Sequence, residues 1–248
     1  MSALAVLLIA VGIGDVCRRL IRLRWLPTVM ALAVIAACVL LGGLWHLGDL
    51  PLLVIVATTS VAWLLLCGRA ERTGTHQAVP LTVFGVGVTV LILLSGWGSE
   101  VGSLIGRWST WAGLFGDHPV DPDRLLMIVG VLVVQLATGN QLVRLVLGSV
   151  GAVRPVGEPQ PSDRLKGGRL LGPMERLLIL GLGLGGQLTM ATAVVAAKSI
   201  IRFPEITAQK NGTAGVGIDI GISEVTEYFL VGSFASWILA FGGLALVH

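Results

Sequence analysis

The sequence predicts an all-α fold, a polytopic transmembrane bundle of about seven helices, and three observations predict it. Of its 248 residues, 54% are hydrophobic and 12% are charged, against about 25% charged in soluble domains, so there is too little polar surface to coat a water-soluble globule. Apolar runs recur along the whole chain, at residues 2–17, 26–45, 52–67, 79–95, 125–150, 173–199 and 225–247. The connections between them are too short for a separate soluble domain, and the alternation of barrel strands is absent. Runs of this length satisfy their backbone groups in hydrocarbon only as helices. Residues 1–248 therefore read as a single membrane domain.

The first run lacks a basic leading segment and ends in Asp15-Val16-Cys17-Arg18-Arg19 rather than a small-residue cleavage site, so it reads as a retained first helix. Arg18 and Arg19 stand three and four residues beyond Asp15 and can neutralise it locally. Arg18, Arg19, Arg22 and Arg24 set the orientation, because short basic loops stay in the cytoplasm. Alternating from there puts Arg69 and Arg72 inside, then Arg154, Arg164, Lys166 and Arg169. Asp49, Asp117, Asp121 and Asp123 come out on the other side. The N-terminus is then outside and the C-terminus inside, with Lys198, Arg202 and Lys210 placed outside against the rule.

Two connections are long. Residues 96–119 carry Trp97, Trp108 and Trp111 and read as an outer segment lying in the interface, where indole rings sit at headgroup depth. Residues 152–172, rich in Pro and Gly, read as a mobile cytoplasmic loop.

Polar residues interrupt the later runs. In the fifth, Gln135, Thr138, Asn140, Gln141 and Arg144 break a Val and Leu pattern. An arginine inside the boundary needs a partner, and Glu175 is the expected one, with Arg176 marking the inner membrane boundary. The sixth run contains Gly181-Leu182-Gly183-Leu184-Gly185-Gly186, which formally satisfies the dinucleotide fingerprint. No strand precedes these glycines and they fall inside an apolar run, so the match is fortuitous. Gly181 and Gly185 instead make a close-packing pair, matched by Gly232 and Ser236 in the seventh run. Gln187 is expected to bond across helices.

At the far end of the sixth run stand Lys198, Arg202 and Glu205, and at the start of the seventh Glu224, Glu227 and Tyr228. Antiparallel packing of the two runs would bring these groups to one level, as an ion-pair clamp or as a pocket for an anionic ligand such as a phosphorylated lipid. No catalytic set, cofactor motif or metal spacing is evident: His46, His76, His118 and His248 are scattered, and Cys17, Cys38 and Cys67 show no paired spacing. The basic residues sit in loops between helices, which argues against nucleic acid as a partner.

The last third carries Gly172-Pro173-Met174-Glu175-Arg176-Leu177, then Ala197-Lys198-Ser199-Ile200-Ile201-Arg202-Phe203, then Glu227-Tyr228-Phe229-Leu230-Val231-Gly232-Ser233. In the order and spacing of these motifs it resembles the end of an uncharacterised bacterial inner-membrane family, a domain of unknown function. The resemblance implies that Glu175, Arg176, Lys198, Arg202, Glu227 and Tyr228 are signature positions, and it brings no activity with it. The resulting expectation is a multi-pass protein of a bacterial inner membrane, a non-enzymatic transport, pore or membrane-complex component. Alternatives are a membrane enzyme acting on a lipid or polyprenyl phosphate, and a scaffold docking a cytoplasmic partner. Expected partners are membrane lipids, anionic ones at the Lys198 cluster, and a second copy or a membrane complex.

Overall fold

In the computed structural model every element among the described residues is helical. Those residues are 1–21, 23, 25–102, 121–151, 168–197, 200 and 222–248, with only the backbone described at 168–170 and 222–226. The elements are α1 (Ser2–Leu20), α2 (Leu26–Gly42), α3 (Asp49–Thr73), α4 (Ala78–Leu93), α5 (Pro122–Ser149), α6 (Gly168–Leu184), α7 (Leu188–Ala197) and α8 (Ile222–Val247). Each predicted apolar run is helical, and three stretches are long and apolar enough to cross a membrane: α3, α5 and Glu227–Val247 of α8. The chain divides into two compact units, one of Met1–Thr138 with Leu246–His248, the other of Gly139–Ala245.

In the first unit α1 is the central helix. Residues 4–11 are buried on every side, because α2, α3, α4 and α5 all pack on it, and a helix that is apolar all round belongs in a core. Glycines let α5 close on α1: a Cβ at Gly130 would stand 3.0 Å from the Ala5 carbonyl, and one at Gly12 would run into Val133. Since Gly130 lies beside residues 5–9 and Val133 beside Gly12, the two helices run in the same direction.

The end of this unit where α1 begins is closed by the buried Asp49 at the start of α3. Its carboxylate accepts from the Ser99 N–H at 2.8 Å, the Ser99 hydroxyl at 2.5 Å and the His46 N–H at 3.1 Å. The Ser2 hydroxyl donates to the Ser99 carbonyl at 2.9 Å, so residue 99 is tied to the starts of both α1 and α3. Asp121 caps α5 by accepting from the Asp123 N–H, and Pro122 fills the first helical position, where its missing N–H costs nothing.

In the second unit the sequence expectation changes. Residues 168–172, read as the end of a loop, are already helix, and the sixth apolar run is two helices rather than one. α6 stops at a Schellman turn: Gly186 adopts φ +74°, the Gln187 N–H donates to the Leu182 carbonyl at 2.8 Å and the Gly186 N–H to the Gly183 carbonyl at 3.0 Å. Beyond it α7 turns back. Ala191 of α7 shares one core with Ile179 of α6 and Ala240 of α8, with Leu182, Val195, Trp237 and Phe241 packed around them. A helix continuing straight would carry Ala191 about 18 Å past Ile179, beyond the end of α8. Residues 185–190 form the exposed tip of this hairpin.

α6 and α8 run in the same direction. Arg176 meets Ser236 and Gly183 meets Leu244, so contacts advance together along both chains. The antiparallel pairing expected of the sixth and seventh runs is therefore replaced by a parallel one, and the turn at Gly186 is the reason: α7 makes the return that the sequence reading gave to α8.

Candidate functional site

The strongest candidate is the surrounding of Arg176. Arg176 is 1% exposed, the only buried cation among the described residues. It projects from α6 onto α5, where Gly139 provides the room: a Cβ there would stand 2.8 Å from Nε and 2.9 Å from Cζ. Its Nη2 donates to the Asn140 side-chain carbonyl at 2.7 Å and its Nη1 to the Ser236 hydroxyl at 3.1 Å. Gln141 and Ser233 are buried as well. Three helices thus supply one polar centre, and bonds of this kind to an ionised donor are about twice as strong as neutral ones.

Its depth follows from α8. Ser236 lies nine residues after Glu227 and eleven before Val247, the ends of that helix's candidate span, so the guanidinium sits about 13 Å from one end and 16 Å from the other. Arg176 thus lies beside the middle of the α8 candidate span rather than beside either of its ends.

α5 is distorted just before this point. Val134–Thr138 form a π-turn, a one-residue irregularity that recurs at functional positions. The Ala137 carbonyl within it accepts from Arg19 Nη2 at 2.7 Å. Below it in the first unit, the fully buried Asp15 faces α3: Trp63 Nε1 donates to Oδ2 at 3.1 Å, Thr138 lies alongside, and Arg18 Nη2 stands 3.0 Å from Oδ1. Arg18 also reaches Glu71 at 3.5 Å.

The sequence reading had the partners of this region partly right and the arginine wrong. Asn140 bonds a buried arginine, but that arginine is Arg176; Arg144, one turn further along α5, is exposed. Glu175 is half-buried, and Gln135, Thr138 and Gln141 are buried. Of the packing glycines, Gly232 lies against Leu147 and Val143, while Gly181 looks onto open space and Gly185 onto the carbonyls of its own helix. The close approach to α8 is made by Gly183, two residues along. Gln187 is exposed at the hairpin tip. In the expected charge cluster Lys198, Arg202 and Glu205 lie outside the described residues, as do Trp108 and Trp111; Glu224 is in α8, Glu227 is exposed and Tyr228 half-buried. No group of His, Cys, Asp or Glu among the described residues is placed to hold a metal ion.

The buried arginine was legible in part. A run of 27 residues exceeds the roughly 20 that a span needs, and Gly185-Gly186 followed by Gln187 is a turn signal inside it. Together they would have moved Arg176 away from the boundary. Compared with protein-family models, with curated proteins and with solved structures, the chain matches none.

Proposed function

We propose that this chain is a multi-pass protein of a bacterial inner membrane and works there as a small transport or pore-forming component, with Arg176 at its selective point. The observation that carries the reading is the depth of Arg176: an arginine at the middle of an apolar span, gripped by Asn140 and Ser236. An ionisable group there costs several kcal/mol relative to an apolar residue and is the usual mark of a solute or ion path.

The proposed topology has eight crossings rather than seven, because the sixth run is a hairpin; the ten residues of α7 cover about 15 Å of the return, half of the hydrocarbon thickness, and the rest of it lies outside the described residues. The N-terminus stays outside, and the C-terminus moves outside with it.

The test is flux through proteoliposomes loaded with potassium chloride or potassium phosphate, followed by light scattering after an osmotic step. Wild type should pass at least one of the salts faster than protein-free vesicles, Arg176→Lys should retain part of that rate, and Arg176→Gln should lose it while remaining helical and monodisperse. Folded wild type that passes none of them faster than empty vesicles contradicts the reading.

A further inference from the structure

Arg18 stands between two carboxylates of different exposure. Asp15 is fully buried, Glu71 is 36% exposed, and Arg18 itself is 15% exposed. The shorter contact, 3.0 Å, goes to Asp15 Oδ1, yet that oxygen has no aligned hydrogen bond. The aligned bond of Arg18 goes to Glu71 at 3.5 Å. One cation is thus divided between a deep carboxylate that it approaches off-axis and a shallow one that it addresses from farther away.

The rest of the Asp15 environment is fixed. Trp63, itself fully buried and packed in a tilted contact against Phe84 with ring centroids 5.0 Å apart, holds Oδ2 by its indole N–H, and this bond is available whether the carboxyl is charged or neutral. Arg19, the other cation near Asp15, is committed to the Ala137 carbonyl. From α3 the titratable groups facing the pair are Cys67 and Glu71. α2 carries only Cys38, and α4 and the part of α5 in this unit beyond Arg124 carry none. Among the described groups facing Asp15, Arg18 is therefore the cation that two carboxylates share.

We propose that Asp15 is a proton-binding site, and that Arg18 exchanges between Asp15 and Glu71 as the proton arrives and leaves. A proton from water adds to Oδ1, the oxygen that carries no aligned bond. Asp15 becomes a neutral acid still held by Trp63. Arg18 keeps its charge and moves wholly onto Glu71, toward the exposed rim. On deprotonation the carboxylate draws Arg18 back, because a buried anion without a partner is costly. This assignment stands apart from the transport reading and needs no solute to be carried.

Trp63 reports on the event directly. In nanodiscs of uncharged lipid, tryptophan emission is followed against pH in wild type and in Trp63→Phe, and the difference isolates the Trp63 signal. It should show one transition, lost in Asp15→Asn and moved to lower pH in Glu71→Gln, where Arg18 has no second acceptor and the local negative charge is smaller. An unaltered transition in Asp15→Asn overturns the proposal. Infrared difference spectra on wild type give a second reading that does not depend on that variant folding. Acidification should produce a protonated-carboxyl band that shifts in Trp63→Phe, because the indole bond is lost, and keeps its area in Glu71→Gln. Absence of such a band, or a band indifferent to Trp63→Phe, equally overturns it.

Discussion

At the residue scale, the arginine that matters is distinguished from the one that does not by a single glycine. Gly139 lets the Arg176 guanidinium lie against the α5 backbone, and Asn140 beside it accepts the shortest bond. Asn140→Leu removes a 2.7 Å bond to a buried ionised donor and should cost about 3 kcal/mol, the upper range for a bond to an ionised group. Arg144→Ala, at an exposed position, should stay within about 0.5 kcal/mol. Reversible unfolding in mixed micelles measures both, and a larger loss at Arg144 would restore the pairing first expected from the sequence. The sequence reading could pick out Asn140 because polar side chains among Val and Leu are conspicuous. It could not choose between Arg144 and Arg176, because each sits near a run's end by counting and only the fold decides which helix turns which face inward.

At the element scale, the sequence was most informative about where helices are and least about where one of them turns. Composition reports solvent, and every apolar run is helical among its described residues, the sixth as two helices. A turn inside an apolar run leaves hydropathy nearly unchanged, so the α6–α7 hairpin rests on two hydrogen bonds and the positive φ of Gly186. Gly186→Ala forces a side chain into the left-handed region and should destabilise by about 1–2 kcal/mol. The glycines before it separate the expected packing face from the observed one. Gly181→Ala meets nothing within 4 Å and should be neutral or gain about 0.5–1 kcal/mol from backbone entropy. Gly183→Leu drives into Leu244 and should lose about 1–3 kcal/mol by overpacking. The reverse order in the same unfolding assay would place α8 on the Gly181 face instead.

At the scale of the whole molecule, α1 is the helix around which the first unit is assembled, and α5 is shared between both units. Gly130→Leu, which would push α5 off the Ala5 carbonyl, should therefore lower the stability of the unit as a whole, again by about 1–3 kcal/mol, with loss of the Asp49 and Asp15 ends together. The proposed topology has a consequence for the hairpin as well. Seven spans would leave Gln187 inside hydrocarbon, whereas eight bring it to the outer surface with the C-terminus.

The most direct measurement is thiol labelling of Gln187→Cys, in a chain whose Cys17, Cys38 and Cys67 are alanine, with a membrane-impermeant reagent applied to intact spheroplasts. Labelling from the outside without permeabilisation is the predicted result, and His248→Cys should label under the same conditions. Protection of Cys at position 187 in both intact and permeabilised membranes would mean that the sixth run crosses as one helix, and would contradict the hairpin and the eight-span topology built on it.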